Sequence, residues 1–188
     1  MPADLWNERY RQGEHSRDQP LDFIARLLPP GDGRLALDLA CGAGRHALLM
    51  ASKGWRVTAV DWSETALALI RAQDSRIETV AADLEAGAFS IERNRWDLIC
   101  VSFYMQRELF PAIGNGLRPG GILAMAFPML DHREGVRPMR TEFLIDSGEL
   151  RAIYQGFNIL HDVETLPDPP RRRTAEFWAT SALADNTK

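Results

Sequence analysis

A single-domain α/β fold, its sheet mostly parallel with one antiparallel strand and helices on both faces, is predicted by three features of this 188-residue chain. Short apolar runs alternate with segments of helical period. A glycine turn joins the first apolar run to a helix, as in crossover units of parallel sheets. The last two apolar runs are joined by a link short enough for a hairpin, which brings in the antiparallel member. One well-buried core suits this length, and two would be cramped.

Taken in order, residues 4–10, DLWNERY, suit a short helix capped by Asp4, with Trp6 and Tyr10 one turn apart on a shared face. Those aromatics either pack a terminal helix on the core or form part of a lid. Residues 20–28 place Leu21, Ile24, Leu27 and Leu28 at helical spacing and stop at Pro29 and Pro30. The run LALDLA at 35–40 reads as a strand buried on both faces, interrupted only by Asp38. A helix at 45–52 and a strand at 56–60 ending on Asp61 follow. Ser63 is placed to cap a helix whose apolar side is Ala66, Leu67, Leu69 and Ile70.

Further strands are expected at 77–82 and 96–103, then an amphipathic helix at 105–117, a turn at 118–121 and a strand at 122–128. Charges, Gly135 and Pro138 make 129–140 a loop over the carboxyl edge of the sheet. A helix at 147–154 precedes strands at 157–166 and 173–182. The whole chain is read as one domain, with 1–30 as a helical lid segment and 34–185 as the core.

Composition is that of an ordinary globular protein, with 45% hydrophobic and 26% charged residues. The net charge of −4 gives no electrostatic case for general nucleic-acid binding. No apolar run approaches the roughly 20 residues of a membrane span. The polar, acid-bearing start lacks the pattern of a targeting peptide. Cys41 and Cys100 show no metal or redox spacing, so reduced, packed thiols in a cytoplasmic protein are expected. The histidines His15, His46, His132 and His161 form no ligand pattern either, and no metal is expected. Arg107, Arg133, Arg137, Arg140 and the run 171–173 are solvated by default; convergence on the carboxyl edge would favour an anionic acceptor.

The chemistry concentrates in 35–61. Gly42 and Gly44 let backbone approach a ligand closely, and the helix that opens at Arg45 aims free amides at the same place. Asp61, about twenty residues past the turn, stands where an acid can hold a ribose diol, with Trp62 beside it as a wall for adenine. GAGRHA at 42–47 also satisfies the dinucleotide pattern GxGxxA, so a nicotinamide-dependent oxidoreductase has to be weighed. Asp38 discriminates: a carboxylate aimed into the turn would repel a pyrophosphate but attract the ammonium of an amino-acid moiety.

With that acid, DLACGAG at 38–44 resembles the first motif of the class I S-adenosylmethionine-dependent methyltransferases. RELFPAIGNGLRPGGIL at 107–123 strengthens the resemblance, since that family often carries a helix, LRPGG and a strand in this place. WNERY at 6–10, followed by GEHS, resembles the amino-terminal segment of the small bacterial enzymes related to tellurite-resistance and thiopurine methyltransferases, which closes over cofactor and acceptor. The resemblance implies a Rossmann-like methyltransferase fold with a seven-stranded sheet. S-adenosylmethionine is the implied cofactor and S-adenosylhomocysteine its product.

The implied cofactor site comprises Asp38 at the ammonium, the turn residues Ala40, Cys41, Gly42 and Gly44, Asp61 at ribose, and Trp62, Ser63, Asp83, Leu84 and Ser102 around adenine and the remaining edge. Asp83 could instead cap a turn. Trp6, Tyr10, His15, Phe103 and Tyr104 are candidates for the lid or acceptor side. The acceptor is expected to be a small molecule, a thiol or a metalloid anion among the candidates, because a soft anion needs no catalytic base. No residue is assigned as a base. The segment after the fourth strand lacks the Asn-Pro-Pro-Tyr pattern of amide and base-amine methyltransferases, and the arginine run lacks the partner histidine of the tellurite enzymes. A binding protein of the same fold that has lost catalysis is a further alternative.

Overall fold

The computed structural model describes residues 3–13 and 19–183. Seven strands form one sheet: β1 (Leu35–Leu39), β2 (Arg56–Asp61), β3 (Glu78–Ala81), β4 (Trp96–Ser102), β5 (Leu117–Pro128), β6 (Asn158–Glu164) and β7 (Thr174–Thr180). Their order is β3-β2-β1-β4-β5-β7-β6. Strands β1 to β5 pair in parallel, and β7 runs antiparallel to both β5 and β6. The expected architecture, with a single reversed strand, is therefore the observed one.

Among the described residues six α-helices surround the sheet: α1 (Ala3–Arg11), α2 (Asp22–Leu27), α3 (Arg45–Ser52), α4 (Glu64–Gln73), α5 (Phe110–Gly116) and α6 (Glu149–Ile153). Period-2 alternation along the strands splits the core into two layers. On one face Leu37, Leu39, Ile99, Leu123, Met125, Phe127 and Phe177 pack with Phe110 and Ile113 of α5 and Leu150 of α6. The other face is lined by small residues, Ala36, Ala59, Cys100, Ala124 and Ala126, which let α2, α3 and α4 come close. Each fully buried large side chain, such as Leu37 or Phe127, contributes about 2 kcal/mol.

Two expected elements differ in detail. The helix expected at 105–117 is a 3-10 turn, Arg107–Leu109, followed by the short α5, because Pro111 sits at its start and Gly114 and Gly116 weaken its end. β5 begins at Leu117, opposite Trp96; the expected turn at 118–121 bulges out before pairing resumes at Ile122 opposite Leu98.

The expected lid also shrinks. Phe23, Ile24 and Leu28 of the α2 segment are buried in the core, and Lys53 Nζ donates to the carbonyls of Ala25 and Leu28. Among the described residues of 1–30, only α1, which has no buried residue, remains a candidate cover. Among the described residues no helix is long and apolar enough to cross a membrane.

Candidate functional site

A cavity of about 1290 Å³ runs along the carboxyl edge of the sheet, from the ends of β2 and β3, across β1 and β4, to β5 and the start of β7. Its two ends carry opposite charge. Asp61, Asp83 and Glu85 line the β2–β3 end, and Arg137, Arg171 and Arg172 line the β5–β7 end.

At the acidic end the main chain fixes each carboxylate. Asp61 Oδ2 accepts from the Gly42 amide and Oδ1 from the Ser63 amide, both at 2.8 Å, so the glycine turn is clamped to the end of β2. Burial raises the Asp61 pKa, opposed by these amide bonds. Each oxygen keeps a second lone pair for a ligand hydroxyl. Of the two roles weighed for Asp83 the cap is present, Oδ1 accepting from the amides of Glu85 (2.9 Å) and Ala86 (3.2 Å), and the residue also lines the cavity. Trp62, Ala82 and Leu84 supply the apolar wall.

The turn itself requires glycine at two positions. Gly42 has φ +56°, and a Cβ there would stand 2.6 Å from the Tyr10 hydroxyl. Gly44 has φ +83° and packs so closely that its Cβ would stand 2.6 Å from the Ile70 side chain. Ala40 takes φ +51° despite its Cβ, a strained conformation at the mouth of the turn. Phe103 does the same at φ +58°, and its amide donates to the Ala126 carbonyl at 2.8 Å, turning the chain out of β4.

Of the eleven residues expected at the cofactor, Ala40, Cys41, Gly42, Asp61, Trp62, Asp83, Leu84 and Ser102 line the cavity, whereas Asp38, Gly44 and Ser63 do not. Gly44 serves helix packing. Ser63 is fully buried, caps α4 by accepting from the Ala66 amide, and donates to Asn7 Oδ1 at 2.7 Å. Asn7 Oδ1 also accepts from the Thr65 amide, which pins α1 to the start of α4. Asp38, 1% exposed, lies beneath the turn and off the cavity wall. Its Oδ2 has no hydrogen-bond partner among the described residues, and burial raises its pKa to about 7 against the opposing pull of Arg45.

Ser102 joins the buried layer to the cavity. Its Oγ accepts from Arg45 Nη2 at 3.2 Å and lies 3.3 Å from His46 Nδ1. His46 Nε2 in turn accepts from the Leu21 amide at 3.2 Å. Asp38, His46 and Cys100 bring potential ligand atoms within 4.8 Å of one another. A backbone amide already occupies the Nε2 lone pair, and Nδ1 carries the ring proton, so the imidazole has no lone pair to give a cation. Both cysteines are buried free thiols.

Of the lid and acceptor candidates, Trp6, Tyr10, Phe103 and Tyr104 line the cavity. His15 lies outside the described residues. Tyr104 donates to Gln106 Oε1 at 2.6 Å, and Gln106 Nε2 donates to the Leu84 carbonyl at 3.3 Å, tying the β4 loop to the wall of the acidic end. Burial raises the Tyr104 phenol above its ordinary range, with Glu85 and Asp83 adding to the effect. His132 is exposed and off the cavity; His161 stacks on Phe23 at 5.1 Å and meets Glu176 at 3.0 Å.

Sequence reasoning missed Arg9, Arg45, Glu85, Met139 and Phe143 on the cavity wall. Arg45 was readable, being the first residue of the helix after the turn; Met139 and Phe143 carried no signal. Of the seven arginines weighed above, Arg137, Arg171 and Arg172 line the cavity, whereas Arg107, Arg133, Arg140 and Arg173 are ion-paired with Glu149, Asp131, Glu142 and Glu164. The guanidinium groups of Arg137 and Arg171 make no hydrogen bond or ion pair among the described residues, while Arg172 braces the loop through the carbonyls of Met129 (3.1 Å) and Arg137.

A profile for a methyltransferase domain matches residues 36–121, the stretch from β1 through the bulge that opens β5. Trans-aconitate 2-methyltransferase of Paracidovorax citrulli is 31% identical over 143 residues, covering 72% of this chain and 55% of that protein. The chain spans about half the length of the curated relatives it matches. Among solved structures, TehB from Haemophilus influenzae superposes with a TM-score of 0.72 at 21% identity, over 93% of this chain and 67% of that one. The 1,6-didemethyltoxoflavin-N1-methyltransferase of Burkholderia thailandensis, bound to its substrate and S-adenosylhomocysteine, superposes at 0.68 and 16% identity, over 96% and 87%.

Proposed function

We propose that the chain is a class I S-adenosylmethionine-dependent methyltransferase and that it methylates a small anionic acceptor. The observation that carries this reading is the division of charge along one continuous cavity, acids at the β2–β3 end and arginines at the β5–β7 end. The residues present fit the cofactor. Gly42 brings bare backbone to the cavity wall beneath the Tyr10 hydroxyl, and the buried Asp38 carboxyl, whose Oδ2 has no hydrogen-bond partner among the described residues, sits behind the turn. Asp61 would hold the ribose, and Trp62, Asp83 and Leu84 the adenine.

When bound, the cofactor supplies an electrophilic methyl on a sulfonium. The protein's share is to orient an acceptor for in-line attack and to keep water out. Arg137 and Arg171 are placed to hold an anion, while Met139 and Phe143 at the mouth and Trp6 and Tyr10 on α1 give an apolar cover. A carboxylate oxygen or a thiolate brings its own lone pair, so no catalytic base is required. The curated relative is named for a carboxylate-bearing substrate, and the TehB likeness keeps metalloid anions in view, so both belong in the screen with thiols.

The first test is thermal unfolding with S-adenosylmethionine, S-adenosylhomocysteine, NAD and NADP in parallel. A ligand at about 100 times its dissociation constant stabilises by roughly 2.7 kcal/mol. Stabilisation by the adenosyl sulfur compounds alone, followed by methyl transfer to a di- or tricarboxylate, thiol or metalloid anion, is expected. Stabilisation by NAD or NADP alone would overturn the cofactor assignment. Tight S-adenosylhomocysteine binding without turnover on any anion would overturn the catalytic one.

A further inference from the structure

The Ser102 hydroxyl has a polarity that the surrounding atoms fix. Two groups reach its oxygen, Arg45 Nη2 and His46 Nδ1. The arginine can only donate. The imidazole has two tautomers, but its Nε2 faces the Leu21 amide, and a backbone N–H can only donate. Nε2 is therefore the acceptor nitrogen, and the proton of the neutral ring sits on Nδ1. Ser102 Oγ thus receives two donors, and its own proton has to leave in another direction. No acceptor for it exists among the described residues, and Ser102 lines the cavity where β1 and β4 end side by side.

We propose that His46 is a positioning residue that holds the Ser102 hydroxyl as a hydrogen-bond donor into the cavity, for the carboxylate of the cofactor's methionine moiety. Location and charge select that group. The spot adjoins the Ala40–Gly42 turn, away from the adenine wall and short of Arg137 and Arg171, and the Arg45 guanidinium that contacts Ser102 also lines the cavity. An O–H and a cation side by side suit an anionic oxygen. His46 stays neutral throughout the working range, since burial and then Arg45 push its pKa down to about 3. The same ring secures the start of α2 through Leu21, so it carries one structural bond and one positioning bond.

The two bonds can be separated by substitution. His46→Asn keeps an amide near the Nδ1 position and gives up the Leu21 contact; His46→Gln keeps an oxygen near Nε2 and gives up the donor to Ser102. The inference rests on the cofactor reading, so wild-type calorimetry with S-adenosylhomocysteine comes first: no binding there defeats that reading and this inference with it. Given binding, Ser102→Ala and His46→Gln should each weaken S-adenosylhomocysteine about tenfold, the cost of one hydrogen bond to a charged group.

The double variant should be no worse than either single one, because both remove the same interaction. His46→Asn should lose melting temperature yet bind within about threefold of wild type. The decarboxylated analogue of S-adenosylhomocysteine should bind Ser102→Ala and wild type equally. Wild-type affinity in His46→Gln, or equal weakening of the analogue by Ser102→Ala, would overturn the proposal while leaving the cofactor reading intact.

Discussion

The two ends of the cavity are built by different means. At the acidic end, Asp61 and Asp83 are short side chains locked by backbone amides of Gly42, Ser63, Glu85 and Ala86, on strand ends that pairing holds in register. At the basic end, Arg137 and Arg171 are exposed, long side chains on connections flanking β6 and β7, and only Arg172 is bound back to the main chain. A site for an unvarying ligand can be made rigid, because no reorganisation is then needed on binding. A site on loops can change its partner without disturbing the sheet; on the proposed reading the cofactor takes the rigid end and the acceptor the loop end.

The sharpest way to break this contrast is at Asp61. Asp61→Ala removes the clamp on Gly42 and Ser63 together with the proposed ribose acceptor. S-adenosylhomocysteine affinity should fall about 100-fold, as expected for two hydrogen bonds to a charged group, and stability by about 1–2 kcal/mol for the lost amide contacts. Calorimetry and denaturant unfolding read the two separately. Affinity retained within about threefold would show that the acidic end is structural only.

A smaller loss, confined to the other end, is expected for Arg137→Ala and Arg171→Ala. Each should raise the KM for the anionic acceptor about tenfold, the value of one charge-assisted contact, and leave S-adenosylhomocysteine affinity unchanged. Equal loss of cofactor affinity would mean that the two ends are not independent. An unchanged KM in both variants would return these arginines to the ordinary solvated surface.

The same contrast explains what the sequence made legible. Buried parallel strands announce themselves as apolar runs, a glycine turn by its composition, and acids at strand ends by their spacing, so the order of elements and eight residues of the cavity wall are legible, some of them only through the family resemblance. Ser63 was placed correctly as a cap but wrongly on the cavity, because its hydroxyl is used up by the Ala66 amide and Asn7, a contact across 56 positions. Asp38 reads as the acid that needs a partner, yet it sits one repeat below the sheet edge: it pairs with Cys100, two residues short of the cavity-lining Ser102, and is covered by the turn and α3. Convergence of Arg137 with Arg171 depends on two loops meeting in space, which no local pattern records.

Asp38 lies beneath the turn and yields the smallest effect on affinity, one that pH isolates. Its folded pKa, about 7, stands above the ordinary 3.8, with burial as the main cause; Arg45 opposes the shift, Asp61 adds to it, the Cys100 thiol hydrogen-bonds to it, and neighbouring His46 is neutral. Between those two values the folded chain holds a proton that the unfolded chain has lost. The stability this confers is complete below about pH 4 and disappears as pH rises through 7, a change on the order of 4 kcal/mol. A cationic ligand over the turn favours the ionised form, so S-adenosylmethionine should bind more tightly as pH rises through 7 and release up to one proton. Calorimetry in buffers of different ionisation enthalpy counts that proton. In Asp38→Asn the pH slope of affinity and the proton release should both vanish, while the unliganded protein gains stability at pH 8. Proton release surviving in that variant would transfer the titration to Asp61, and with it the electrostatic role beneath the turn.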